Sequence, residues 1–197
     1  MELDKQIDPI SFFKKWFEEA KEKEIRDPNA MQIATVSSKG YPSVRTVLLK
    51  DIIDDNFVFY TNYESRKSQE IHETGKVAIC FYWKALNRQV RIVGDIKKVS
   101  KEISDRYFKS RSLGSKIGAW ASMQSRPLQS RQILLKKVDD LKQSFEQDVP
   151  RPEYWGGFKI IPKEFEFWQD GEFRLHDRFI LKPINKSKLW ACQRFYP

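Results

Sequence analysis

The chain has 197 residues, of which 40% are hydrophobic, 14% aromatic and 32% charged. That is enough for one sizeable core and short for two domains, and it excludes the low-complexity and disordered classes. Lys+Arg total 36 against 27 Asp+Glu, a net charge of +9, which suits an anionic partner: nucleic acid, phospholipid headgroups or a phosphorylated small molecule.

The two cysteines, Cys80 and Cys192, cannot form a disulfide framework and read as free thiols in a reducing compartment. No run approaches the ~20 apolar residues of a membrane span, and the acidic N-terminus lacks a signal peptide's apolar core. The expectation is a cytoplasmic protein without membrane contact, one domain over residues 1–197 with a short tail at 1–7.

The first element is a helix. Asp8-Pro9 offers an N-cap and a first-turn proline, Phe13, Trp16, Phe17 and Ala20 recur at helical spacing, and Asp27-Pro28 ends the element. Strands follow at 31–36, 42–50 and 57–61, separated by Ser-Ser-Lys-Gly and Asp-Asp-Asn turns. A short helix at 65–74 closes on Gly75 as a C′ glycine. Strands 76–83 and 88–99 around Lys-Ala-Leu-Asn form a hairpin. Residues 101–111 and 130–147 have helical patterning, joined by a polar stretch around 114–129. Strands return at 158–161, 164–169, 173–181 (after an Asp170-Gly171 turn) and 188–195. Many short strands with inserted helices predict a mainly antiparallel, barrel-like α+β fold.

With 8 glycines and neither GxGxxG nor a Walker lysine, any phosphate must be held mainly by side chains. Three basic clusters qualify. In Arg45-Thr-Val-Leu-Leu-Lys50, strand alternation puts Arg45 with Val47 and Leu49 on one face and Lys50 with Thr46 and Leu48 on the other. The cations could serve two anions, or mark strand ends emerging into solvent. In Tyr60-Thr-Asn-Tyr-Glu-Ser-Arg66-Lys67, hydroxyls and paired cations gather at a helix N-terminus, an anion site or a capped helix with solvated charges. In the segment from Phe165 to Arg178, alternation puts Arg174, His176 and Arg178 on one strand face and Phe173, Leu175 and Phe179 on the other. Cations so placed repel unless an anion or a carboxylate such as Glu172 lies between them, and His176 can exchange a proton near neutral pH.

Other chemistries have less support. Two histidines and two cysteines, none at ligand spacing, argue against a metal site, and Ser-His-Asp chemistry has no nucleophile elbow. Trp83, Trp120, Trp155 and Trp168 read as core before ligand platforms, although a planar cofactor would want such edges, and Lys97-Lys98 and Lys136-Lys137 read as solvated faces.

Several long motifs then coincide: RTVLLK at 45–50, FYTNYESRK at 59–67, RQVRIVG at 88–94, RSLGSKIGAWASMQS at 111–125, WGGF at 155–158, FWQDGEFRLHDRF at 167–179, and a closing Arg194-Phe-Tyr-Pro197. From Asp8 onward the chain resembles the pyridoxine (pyridoxamine) 5′-phosphate oxidase family. The resemblance implies a split β-barrel homodimer that binds FMN at the subunit interface. Arg45, Arg66, Lys67 and Ser125 would contact the FMN phosphate, with Tyr60, Thr61 and Gln124 nearby and Thr46, Val47, Leu48, Leu49 and Lys50 completing the FMN-side segment. Gln89, Trp168 and Arg178 would lie along the ribityl chain and flavin ring. Lys50, Tyr107, Arg111 and Ser115 would hold the substrate's 5′-phosphate, with Arg174 and His176 facing its pyridine ring as the catalytic pair. The implied reaction oxidises pyridoxine or pyridoxamine 5′-phosphate to pyridoxal 5′-phosphate, with O₂ as acceptor and H₂O₂, plus ammonia from the amine, as products.

Two departures and one further match stand out. Only residues 1–7 precede the first helix, where many relatives carry a longer basic segment with an R-x-x-Y element. Ser112-Leu113 stands where Pro and a basic residue are frequent. Asp27 matches a family aspartate near the active site. Two rivals differ in class. A split-barrel flavoprotein of other specificity would need no substrate-phosphate set. An RNA-binding module would need a continuous basic stripe, whereas the basic clusters here are separated by acidic residues.

Overall fold

The computed structural model describes residue 3, residues 7–145, 148–184 and 189–197; the rest of the 1–7 tail, 146–147 and the predicted start of the last strand at Lys188 lie outside the described residues. Helix α1 spans Pro9–Lys23, capped by Asp8, whose carboxylate accepts from the N–H groups of Ile10 and Ser11. It ends four residues before Asp27, because Glu24 already leaves helical geometry. Strands β1 (Ala30–Val36), β2 (Pro42–Leu48), β3 (Asp51–Ile53) and β4 (Asn56–Asn62) follow, then α2 (Arg66–Thr74), which closes on Gly75 at φ 63°. The predicted hairpin is β5 (Lys76–Trp83) and β6 (Arg88–Lys98).

Helices α3 (Lys101–Ser110), α4 (Leu113–Ala121) and α5 (Arg131–Ser144) come next, so the stretch read as polar connection holds a helix. The predicted strands at 158–161 and 164–169 are one strand, β7 (Trp155–Gln169). Its Pro162 falls at a bulge, where the register with β6 shifts between Val93 and Gly94. A Cβ on Gly94 would overlap the Ile161 carbonyl, so this crossing of chains requires glycine. Strands β8 (Asp177–Pro183) and β9 (Trp190–Phe195) complete the sheet.

The strand order is β2-β1-β5-β6-β7-β4-β3, antiparallel throughout, and β8 and β9 extend from β7. One edge of β7 faces β6, while the other pairs with β4 through residues 155–160 and with β8 through 165–169. The barrel splits between β4 and β8. Alternate residues fill its interior: Ile79 and Phe81, Val90 and Ile92, Phe165 and Phe167 are all buried. Helix α1 packs against this interior, with Phe13 edge-on to Phe57 at 4.9 Å and Trp16 edge-on to Phe167 at 5.4 Å. The Arg88 guanidinium covers Trp16 and pairs with Glu19, tying α1 to β6. A second cluster, around Phe108, Ile117 and Trp155, fastens α3 and α4 beside the start of β7.

Candidate active site

Between these helices and strands β2 and β4 lies a cleft of about 1040 Å³. It gathers most of the predicted site: Arg45, Thr46, Val47, Leu48 and Lys50 from β2 and the turn after it, Tyr60 and Thr61 from β4, Arg66 and Lys67 from the first turn of α2. Tyr107, Arg111, Ser115, Gln124 and Ser125 line the opposite side. Leu49 does not line it: its side chain is buried in the core, and its backbone N–H and carbonyl are both engaged by Asn29.

One corner of the cleft is organised around Lys67. The strand-to-helix turn buries this lysine to 6% exposure, and its ammonium donates to Thr61 Oγ1 (3.0 Å), Ser65 Oγ (3.1 Å) and Gln124 Oε1 (3.3 Å). Among the described residues no carboxylate pairs with it. Burial, reinforced by the Arg45 charge, pushes its pKa down to about 8. Arg45 is fixed beside it: Nη1 donates to Thr35 Oγ1 (2.6 Å) and to the Ile33 and Ser43 carbonyls (3.2 Å each), and Nη2 donates to Ser43 Oγ (2.5 Å). A buried ammonium without a counter-ion, beside a rigid guanidinium, is suited to an anionic group. Ser125 reaches the cleft from a left-handed backbone, φ 71°.

Another part of the cleft is aromatic. Tyr107 stacks on Tyr60 at 3.8 Å and 10°, Trp155 lies parallel to Tyr60 at 5.6 Å, and the Arg111 guanidinium sits 4.6 Å above Trp155. Burial, aided chiefly by Asp51, pushes the Tyr60 phenol up to about 12, so it remains a neutral donor. Arg111 Nη1 is buried without a hydrogen-bond partner among the described residues. Such an orphaned cationic donor is costly unless an anion reaches it, and the Ser112 and Ser115 hydroxyls, 2.9 Å apart, share its cleft.

The remaining predicted residues are elsewhere on the protomer. Gln89 pairs with Trp168 and Trp168 with Arg178 across β6, β7 and β8, so the three form one row on one sheet face. None of them lines the cleft. Arg178 is held by Glu166 at 3.0 Å, while its Nε is buried without a partner among the described residues.

The strand alternation expected over 173–181 holds only from Asp177. Residues Glu172–Arg174 form a 3₁₀ turn in which Phe173 and Arg174 take positive φ, 55° and 64°. This turns the chain back, so Arg174, His176 and Arg178 do not share one regular strand face. Phe173 and Leu175 are not inward-facing either; they are 89% and 73% exposed. His176 packs on Trp168 at 4.7 Å, and its Nδ1 lies 2.9 Å from Asp170 Oδ1. The carboxylate that pairs with Arg178 is Glu166 rather than Glu172, and His176 Nδ1, beside Asp170, accepts from the Gly171 N–H at 3.2 Å. Asp27 sits in the turn before β1 with φ 46° and does not line the cleft.

Sequence reasoning missed Asn62, Gly118, Ala119 and Ser122 as cleft residues, read Ser112 only as a departure from the family pattern, and favoured core over a ligand platform for Trp155. It also missed Glu70, buried behind the cleft, although its spacing of four from Arg66 on a helix is an ion-pair signal.

A split antiparallel barrel whose cleft carries two separate cationic corners defines a class: a split-barrel protein with a cleft suited to anionic ligands. Comparison with known proteins sharpens it. Residues 17–145 match the sequence profile described as pyridoxamine 5′-phosphate oxidase, and residues 155–197 match that of the pyridoxine 5′-phosphate oxidase C-terminal dimerisation region. The pyridoxine/pyridoxamine 5′-phosphate oxidases of Brucella canis and of Brucella suis biovar 1 are each 50% identical over 191 residues, 96% of this chain and 94% and 92% of theirs. Among solved structures, PhzG of Burkholderia lata 383, in complex with tetrahydrophenazine-1-carboxylic acid, superposes with a TM-score of 0.91 at 29% identity, covering 96% of this chain and 93% of that one. A pyridoxamine 5′-phosphate oxidase-related, FMN-binding protein of Nostoc punctiforme shares the fold, with a TM-score of 0.76 at 16% identity over 98% of this chain and all of its own. The chain belongs to the pyridoxamine 5′-phosphate oxidase family and is an oxidoreductase.

Proposed function

We propose that the chain is a single-domain, FMN-dependent oxidase that works as a cytoplasmic homodimer. It would convert pyridoxine or pyridoxamine 5′-phosphate to pyridoxal 5′-phosphate, with O₂ as electron acceptor. The observation that carries the reading is the pair of uncompensated buried cationic groups in one cleft, the Lys67 ammonium and Arg111 Nη1. A flavin mononucleotide and a phosphorylated substrate bring one phosphate each.

Arg45, Lys67, Ser125 and the Thr61–Gln124 pair would hold the FMN phosphate, with Arg66 at its rim. Lys50, Tyr107, Arg111 and Ser115 would hold the substrate phosphate. Bound FMN supplies a two-electron acceptor that O₂ can reoxidise. Oxidation of the alcohol with O₂ gives the aldehyde and H₂O₂; the amine additionally consumes water and releases ammonia.

The row Gln89, Trp168 and Arg178, together with Arg174 and His176, would reach this cleft from a second copy. Two facts support that arrangement. These residues lie outside the protomer's own cleft, and they fall within or beside the region matched by the dimerisation profile. Arg174 would orient the pyridine ring and stabilise charge developing on it. His176, whose Nδ1 accepts from the Gly171 N–H and whose face lies on Trp168, would orient the substrate rather than serve as an obligatory base.

The test is aerobic turnover by the FMN-loaded protein. Pyridoxal 5′-phosphate and H₂O₂ should form in equal amounts from pyridoxine 5′-phosphate, and unphosphorylated pyridoxine should be a poor substrate. Oxidation of tetrahydrophenazine-1-carboxylic acid without turnover of either vitamer phosphate would overturn the reading.

A further inference from the structure

Behind the Lys67 corner lies a carboxylate that the functional reading does not use. Glu70, on α2, is buried between α2 and strands β1 and β2. Its Oε2 accepts from Thr35 Oγ1 and from Ser43 Oγ (2.6 Å), and its Oε1 accepts from Arg66 Nε (2.8 Å). The same two hydroxyls accept from Arg45, whose direct approach to Glu70 is long at 3.5 Å. Each hydroxyl has one proton, and giving it to Glu70 leaves its lone pairs turned toward Arg45. The chain of bonds therefore runs from the carboxylate through Thr35 and Ser43 to the guanidinium, and separately to Arg66. Both arginines line the cleft, and Glu70 does not.

We propose that Glu70 is a positioning residue, which locks the Arg45 and Arg66 guanidinium groups into the orientation that binds the cofactor phosphate. The proposal rests on the reading of this corner as the FMN phosphate socket. An ionised carboxylate can only accept, and this one stays ionised: burial acts to raise its pKa, but hydrogen bonds from Ser43, Thr35 and Arg66 reverse that and hold it at about 2. Glutamine at this position would present an NH₂ to groups that are all donors, reversing a hydroxyl or expelling an arginine while leaving the packed volume almost unchanged. Losing the carboxylate also removes a negative charge near the phosphate. The arginines stand between that charge and the cleft, so misorientation of their forks outweighs the gain.

The experiment measures Kd for FMN and for riboflavin, which lacks the phosphate, by flavin fluorescence in the wild type and in Glu70→Gln. The expected result is a loss of about tenfold in the preference for FMN over riboflavin, with riboflavin affinity unchanged. In a background carrying both Arg45→Ala and Arg66→Ala the same substitution should add little, because both groups it positions are gone. Should Glu70→Gln fail to fold, Ser43→Ala interrupts the relay and should reproduce the loss of preference. An equal fall for both flavins, an unchanged preference, or full additivity with the paired arginine replacement would overturn the proposal. A wild type that does not prefer FMN would overturn the socket reading and the proposal with it.

Discussion

Raising the pH should loosen FMN through one identifiable group. Lys67 must be protonated to meet a phosphate, and its pKa in the free protein is about 8 because it is buried beside Arg45. A phosphate's own second ionisation lies near pH ~6 and is complete by neutrality. A bound dianion restores the lysine to high pKa, so binding above pH 8 requires proton uptake. The apparent Kd then scales as one plus the ratio of neutral to protonated lysine, about 1.1 at pH 7 and about 11 at pH 9, a tenfold weakening or ~1.4 kcal/mol. Stability of the cofactor-free protein should move the other way. The unfolded lysine titrates at 10.5, so between about pH 8 and 10.5 the unfolded chain holds the extra proton, and folding becomes more favourable as pH rises. Flavin titrations at pH 7, 8 and 9, paired with urea melts of the free protein, read both trends. Lys67→Met should bind FMN more weakly at pH 7 and with little dependence on pH. An unchanged wild-type Kd across this range, or the same slope in Lys67→Met, would refute the reasoning.

Arg111→Ala removes a charge-assisted contact worth roughly 1.5–3 kcal/mol, so steady-state kinetics should show KM raised by about 10–150-fold with kcat little changed. Arg174→Ala should lower kcat as well, and an unchanged kcat would contradict its assigned role. Coexpressed Arg45→Ala and Arg174→Ala chains should regain about a quarter of wild-type activity, because half the dimers are mixed and one of their two sites is intact; a site contained in one chain would regain none. Gly94→Ala forces a Cβ into the Ile161 carbonyl at the bulge and should lower stability by roughly 1–3 kcal/mol in urea unfolding.

Local signals located much of this molecule. Asp8-Pro9 and the 13-16-20 spacing fixed the start and buried face of α1, and Gly75 closed α2 as expected. The signals failed where a distant partner decides. Helix α4 contains Gly114 and Gly118 and reads as a connection, yet Ile117 and Ala121 are buried against neighbouring elements. Pro162 interrupts the local pattern of β7, but Gly94 on the neighbouring strand makes room for the bulge that carries the strand through. Alternation over 173–176 looked like a strand because nothing local announces left-handed Phe173 and Arg174.

The site divides in the same way. Arg66 and Lys67 with their hydroxyls lie in one short segment, so their gathering at one turn was legible. That Arg45 stands beside Lys67, and that Glu70 anchors both arginines, depends on how α2 packs against β1 and β2. The row Gln89, Trp168 and Arg178 follows from strand register, which no single segment encodes.

The most direct test of the central claim is anaerobic. The FMN-loaded protein is mixed with pyridoxine 5′-phosphate in the absence of oxygen, and the flavin absorbance is followed. The account predicts bleaching, one pyridoxal 5′-phosphate formed per flavin, and return of the yellow colour when air is admitted. A flavin that stays yellow with both pyridoxine and pyridoxamine 5′-phosphate would contradict it.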